Sequence, residues 1–357
     1  MVSTRLPTVA RAAKDGVRDR AYRERLQSNG ITMLDAYKNP PKHIQDTLKN
    51  MLPAESVTIT GDLDTAENRA MAISGVDEDL VKHLFQSLIR DRIDRSRLKF
   101  VGNKMLDSLR VPNIRGRDRI STPKPDVYLG YRHETFDNEL QGLLGHYDRN
   151  HVKFAFLGVE LKGDDETTLG GLWIATNQCM GGAATFLNIQ NRLQSTLRDN
   201  SLVKEADALK PVVFSVASNG TEARLFATYS EGEGNFTMHF IRGFLLYDPS
   251  SRATLDAYIK HIIDWGTNER LPVIISALQA LRESGIRGDI PASPTIPDNE
   301  ENEYPNSSII DQEISDSSLI RSNAGTQVVP EPTQKRSKKR AADSQQGTRK
   351  RRKATGA

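Results

Sequence analysis

The chain has 357 residues, 37% hydrophobic and 27% charged, with a single cysteine, Cys179. This length and balance suit one large or two small soluble domains with a buried core, and one cysteine excludes both an internal disulfide framework and a zinc site built on cysteines. The net charge of +3 is unevenly spread: residues 335–353 carry +9, residues 287–334 carry −7 and residues 1–286 only +1, so any attraction to nucleic acid must come from local patches or from the tail.

No run of 18 apolar residues occurs, and residues 1–16 lack the apolar core of a secretory signal, which points to an intracellular protein without a membrane span. Residues 1–76 read as a helical N-terminal extension, with helical stretches at Arg18 to Gln27 and His43 to Leu52 separated by Asn39-Pro40-Pro41. Asp77 is placed to cap a helix whose Leu80, Val81, Leu84, Phe85, Leu88 and Ile89 form one apolar stripe.

Strands are predicted near Lys99 to Met105, then at Asp126 to Tyr131, Lys153 to Lys162 and Pro211 to Ala217. Between the last two, Gly170 to Leu197 carries a helical pattern that Gly181-Gly182 is expected to interrupt. Ala223 to Tyr229 and Phe236 to Leu246 read as a hairpin around Ser-Glu-Gly-Glu-Gly. Arg252 to Trp265 and Asn268 to Glu283 read as closing helices, with Pro272 tolerated in the first turn of the second. The strand, helix, strand succession predicts an α/β fold with one mixed central sheet flanked by helices. From Arg287 onward Pro, Ser, Asn and acids dominate, and a disordered C-terminal tail is expected.

The stretch Phe154 to Leu161 is almost wholly apolar until its end, as in a central strand buried on both faces, and it closes on Glu160 and Lys162. Strict strand alternation sets these two charges on the face that holds Phe154, Phe156 and Gly158. Charges at the end of a buried strand are costly unless they pair or meet a ligand. A second strand begins at Asp126, and if the two strands lie side by side, Asp126 and Glu160 converge. Two carboxylates with the Leu161 carbonyl make an all-oxygen set suited to Mg²⁺, with Lys162 to orient or deprotonate a water and Gln178 to hold that water or a phosphate oxygen. The competing reading of Glu160 and Lys162 is a structural ion pair, and that of Asn177 and Gln178 a polar pair near a helix N-terminus.

Pro125-Asp126, then Glu160-Leu161-Lys162, then a helix bearing Gln178 within Ala-Thr-Asn-Gln-Cys resembles the PD-(D/E)XK, restriction-endonuclease-like nuclease superfamily. With the Trp-x-Ala-x-Asn-Gln helix and the Val-Val-Phe-Ser-Val-Ala-Ser-Asn-Gly strand, it is most similar to an uncharacterised fungal nuclease-like domain group. The resemblance covers about half the chain. It implies a restriction-endonuclease-like core over residues 77–286, a metal-dependent phosphodiesterase centre at Asp126, Glu160, Lys162 and Gln178, and Mg²⁺ held by Asp126, Glu160 and the Leu161 carbonyl. Between Asp126 and Glu160 the chain carries an inserted segment, Glu134 to Tyr147, and Glu78 is the candidate for the acid often found on the first helix of such domains.

The seven histidines show no HxxxH or HxH spacing, which argues against a zinc centre. Gly170-Gly171 and Gly181-Gly182 match no phosphate-cradling loop and read as close-packing positions. Cys179 reads as a packed thiol among small and apolar neighbours. In the tail, residues 287–357, the basic clusters Lys335, Arg336, Lys338, Lys339, Arg340 and Arg349, Lys350, Arg351, Arg352, Lys353 resemble a bipartite nuclear import signal. The expectation is a nuclear, Mg²⁺-dependent nuclease-like hydrolase with nucleic acid and an import receptor as partners. The alternatives are an inactive nucleic-acid or chromatin-binding module and a nuclear interaction or effector protein of the same fold.

Overall fold

A computed structural model describes residues 17–35, 37–51, 81–82, 85–86, 89–90, 92–113, 118–163, 171–232 and 234–285. The chain divides into two units, Met1–Thr295 and Ile296–Ala357. The second, with both basic clusters of the tail, lies outside the described residues.

The first unit is α/β. Its elements are α1 (Tyr22–Ser28), β1 (Ile31–Met33), α2 (Lys42–Met51), β2 (Leu98–Val101), β3 (Val127–Tyr131), α3 (Asn138–Tyr147), β4 (Lys153–Leu161), α4 (Gly171–Asp199), α5 (Val203–Ala208), β5 (Val212–Ser218), β6 (Glu222–Ser230), β7 (Phe236–Leu245), α6 (Pro249–Trp265) and α7 (Leu271–Glu283). A π turn, Gly266–Arg270, joins the last two helices. The strands form one seven-stranded mixed sheet in the order β1-β7-β6-β5-β4-β3-β2. β2, β3 and β4 run as an antiparallel meander, α4 crosses over, and β5 pairs parallel to β4, before β6 and β7 continue antiparallel. Among the described residues no helix is long and apolar enough to cross a membrane.

Two cores sandwich the sheet. One face packs Phe156, Phe214, Leu157 and Val159 against residues of α2, α3, α6 and α7, such as Ile44, Leu144, Ile259 and Leu278. The other packs Tyr128, Ala155 and Met238 against α1 and the first half of α4 through Tyr22, Leu26, Ala183 and Phe186. β4 is buried at every position but its first, and β5 throughout, as their unbroken apolar runs require.

Several expectations need correction. α4 runs unbroken through Gly181-Gly182, because burial of the pair against Pro123, Pro125 and Tyr22 outweighs the roughly 1 kcal/mol per residue that glycine costs a helix. The segment expected as a helical extension also supplies a strand: β1 pairs parallel with β7, Ile31 opposite Phe236, and Tyr22, Leu26 and Ile31 are buried in the α4-side core. The inserted segment holds a helix, α3, whose Leu140, Leu143, Leu144 and Tyr147 are buried.

Strict alternation along β4 also fails. The β3–β4 register shifts between Leu129 and Tyr131, where Phe154 adopts φ +47°. Phe154 and Phe156 therefore join Leu157, Val159 and Leu161 in the first core, while Gly158 faces Phe186 of α4. Glu160 shares the α4 side with Gly158 and not with the two phenylalanines. The bulge is pinned at both ends of its peptide: buried Asp148 accepts the Phe154 N–H at 2.6 Å, and the guanidinium of buried Arg270 donates to the Phe154 carbonyl at 2.8 Å. A sparsely populated backbone conformation persists only where its surroundings hold it.

The helix expected from Asp77 is helical at residues 81–82, 85–86 and 89–90, with Val81, Phe85 and Ile89 buried at four-residue spacing in the first core. Asp77, Glu78 and the rest of its apolar stripe lie outside the described residues.

Candidate active site

The meander brings Asp126, one residue ahead of β3, alongside the end of β4. Its Oδ2 accepts the backbone N–H of Leu161 at 2.7 Å, an acceptor role that an ionised carboxylate fills well. The neighbouring Glu160 is 2% exposed, and its Oε2 has no hydrogen-bond partner. Burial first, and then the adjacent Asp126 charge, push the Glu160 carboxyl well above the ordinary range, with Lys162 offsetting only part of this. The nearness of Asp126 is thus, after burial, the second cause that holds the Glu160 proton.

Lys162 follows directly. Its ammonium donates to the Leu161 carbonyl at 2.5 Å and lies 3.6 Å from Asp126 Oδ2. Asp126, Glu160, the Leu161 carbonyl and Lys162 thus gather at one end of β4, as the sequence expects. The positive charge of Lys162 sits among the oxygens that a cation would use.

The crossover helix closes the site from above. Gly171 faces the Lys162 side chain, and Gly182 faces Pro125. Gln178 lies seven residues beyond the first and four before the second, hence on the same helical face. Its Oε1 is buried without a partner. On the sheet-facing side, Cys179 donates to the Val216 carbonyl at 3.6 Å. Burial, followed by the charges of Glu160 and Asp126, raises its thiol pKa well above the usual range, so it is an inert packing group. Asn177 is engaged by α1. It is fully buried and its Oδ1 accepts Arg23 Nε at 2.8 Å and Nη2 at 2.5 Å.

Arg23 and Tyr22 are contributors that local patterns do not announce. Arg23 of α1 also lies over the Trp173 ring at 5.8 Å. Tyr22 is buried with its hydroxyl 3.0 Å from Ser121 Oγ. Burial raises its pKa, the Ser121 contacts oppose this, and the Glu160 charge adds a smaller push upward. α1 is therefore part of the wall around the site.

Among the described residues, no set of three or more His, Cys, Asp or Glu side chains is arranged to hold a metal ion. A cation here would rely on two carboxyls, one carbonyl and its own waters, which is the manner of Mg²⁺ rather than of Zn²⁺ or Ca²⁺. The orphaned Glu160 oxygen and the convergence of the Leu161 carbonyl with Asp126 fit that donor set.

A family model described as a domain of unknown function (DUF7924) matches residues 60–278, more than half of the chain. No curated protein and no solved structure matches it.

Proposed function

This chain belongs to the DUF7924 family, and we propose that it is a Mg²⁺-dependent, nuclease-like protein that hydrolyses nucleic-acid phosphodiesters. The observation that carries this reading is the buried, unpartnered Glu160 oxygen beside Asp126, with Lys162 next in the chain but one. Buried carboxyls perturbed as Glu160 is concentrate where chemistry is done. The order of the sheet supports it too: a meander carries both acids and a helical crossover carries Gln178, as the resemblance to the PD-(D/E)XK superfamily implies.

In this reading Asp126, Glu160 and the Leu161 carbonyl hold Mg²⁺. When bound, the ion supplies Lewis-acid stabilisation of charge on the phosphate and a more acidic water. Glu160 would have to be ionised to hold the ion, because a ligating carboxylate is deprotonated. Lys162 would orient the attacking water as an ammonium donor, or deprotonate it only after first losing its own proton to solvent as the neutral amine. Gln178 would hold that water through its unpartnered Oε1 as acceptor, or a phosphate oxygen through its Nε2–H as donor. The basic clusters of the tail, in the same reading, bind an import receptor and deliver the protein to the nucleus.

One observation favours a second reading, an inactive nucleic-acid or chromatin-binding module. The Lys162 ammonium already lies against Asp126 and the Leu161 carbonyl, so the cluster is partly neutralised from within. The deciding experiment is a cleavage assay on single- and double-stranded DNA and RNA with Mg²⁺ or with chelator. Mg²⁺-dependent cleavage that Glu160→Gln abolishes supports the enzyme; binding without cleavage supports the module.

A further inference from the structure

A second cluster of cationic and hydrogen-bonding side chains lies in a cleft of about 350 Å³ between the C-terminal end of α3, the C-terminal half of α4 and Gly234 of the β6–β7 turn. His146 and Tyr147 wall one side, and Asn188, Asn191, Arg192 and Thr196 the other. Arg192 is fourteen residues beyond Gln178 on the same helix, about 21 Å at 1.5 Å per residue, so the cleft is separate from the acid pair.

Arg110 stands directly behind the His146–Tyr147 wall. It is 3% exposed, donates Nε to the Tyr147 carbonyl at 2.8 Å and Nη2 to the His146 carbonyl, and leaves Nη1 without a partner. Its nearest acid, Asp107, is 4.0 Å away. Asp148 is already committed to the Asn150 and Phe154 N–H groups. Arg192 makes no ion pair among the described residues. Burial is the larger of the two main effects that depress the Arg110 pKa, and the positive charge of Arg192 is the second, with Arg149 adding to it. Like-charged guanidinium groups are thus held around a polar cleft with too little negative charge to balance them. Arginine's fork of N–H donors matches the oxygens of phosphate.

We propose that this cleft binds a phosphate group, with Arg192 as its principal ligand, His146 and the second amide N–H of Asn188, whose first is held by the Arg110 carbonyl, as neighbouring donors, and Arg110 as the buried charge behind it; the Thr196 hydroxyl is spent on the Arg192 carbonyl. The proposal does not depend on catalysis at Asp126 and Glu160. The phosphate is either free, as the inorganic ion or a phosphomonoester, or part of a nucleic-acid backbone.

The test is calorimetric titration of the full chain with inorganic phosphate at constant ionic strength without divalent metal, and separately with an oligothymidylate lacking terminal phosphates. Saturable binding of one phosphate is expected, weakened about tenfold or more by Arg192→Gln, the scale of one lost charge-assisted pair. If Arg192→Gln melts early, His146→Gln is the second variant, with a smaller loss expected. Should the variant weaken the oligonucleotide in parallel, the site takes backbone phosphate; should it weaken phosphate alone, the site takes the free group. No saturable phosphate binding by the wild type, or unchanged affinity in both variants, overturns the proposal.

Discussion

The Asp126 carboxylate accepts the backbone N–H of Leu161 at 2.7 Å, and this bond fixes one acid beside the residue that follows the other. The position of Asp126 thus depends on the β3–β4 pairing, whose register sets Val127 opposite Val159. Asp126→Asn keeps an oxygen acceptor for Leu161 but removes the negative charge. It should retain a near-native melting temperature and lose Mg²⁺ binding. A large fall in melting temperature would show that the charge serves the strand junction and not a ligand.

Glu160→Gln is expected to stabilise the protein at neutral pH. A carboxyl whose folded pKa is raised binds its proton more tightly in the native state. Its favourable contribution is complete below the unfolded pKa of about 4.5 and is lost as pH rises through the folded value. Urea unfolding between pH 4 and pH 9 should show wild-type stability declining across that window and the variant declining less. Parallel curves would mean that Glu160 is ionised in the native state and paired with Lys162.

Lys162→Ala separates catalysis from architecture. Removing the ammonium frees the Leu161 carbonyl and leaves two acids less neutralised, so Mg²⁺ affinity should hold or rise. Cleavage should fall by ~10² or more, the scale of a lost general base. If the lysine is only the partner of a buried ion pair, the same change costs roughly 3–5 kcal/mol of stability instead.

Phe156→Ala should destabilise by about 3–5 kcal/mol, the usual cost of emptying a buried aromatic site. The ring packs between Tyr131 at 5.5 Å and Trp265 at 6.2 Å, directly beneath Gly266, where an added Cβ would lie 2.4 Å from it. Chemical denaturation measures this, and a loss under about 1 kcal/mol would mean that the site is not close-packed.

Arg23→Ala tests whether α1 belongs to the site wall. It strips the acceptor of fully buried Asn177 of both its donors, a loss of about 1.5–3 kcal/mol for hydrogen bonds to a charged group. Differential scanning calorimetry should show this fall. An unchanged transition would mean that the Arg23–Asn177 contact does not anchor the site wall.

How far the sequence discloses this site depends on the range of the interactions. β4 is legible because a strand buried on both faces must be apolar until it ends, so Glu160 and Lys162 stand out. The crossover helix is legible from its periodicity, although the glycine pair within it reads as a break when only local propensity is weighed. Three features are out of reach. The bulge at Phe154 is held by Asp148 and Arg270, and no alternation pattern encodes where a distant guanidinium will dock. β1 is three residues long and exists because β7 offers it an edge. Arg23 meets Asn177 across 154 positions of chain, beyond any local motif. The helix α3 was within reach, since Leu140, Leu143, Leu144 and Tyr147 recur at helical spacing inside the segment read as an insertion.

The most direct test of the central claim is Mg²⁺ titration by calorimetry of the wild type, Asp126→Asn, Glu160→Gln and Lys162→Ala, with melting temperatures and nucleic-acid cleavage measured on the same preparations. The account predicts Mg²⁺ binding in the wild type, its loss in both acid variants, and retained binding without cleavage in Lys162→Ala. A wild type that neither binds Mg²⁺ nor cleaves any nucleic acid, together with a sharp stability loss in Lys162→Ala, would contradict it.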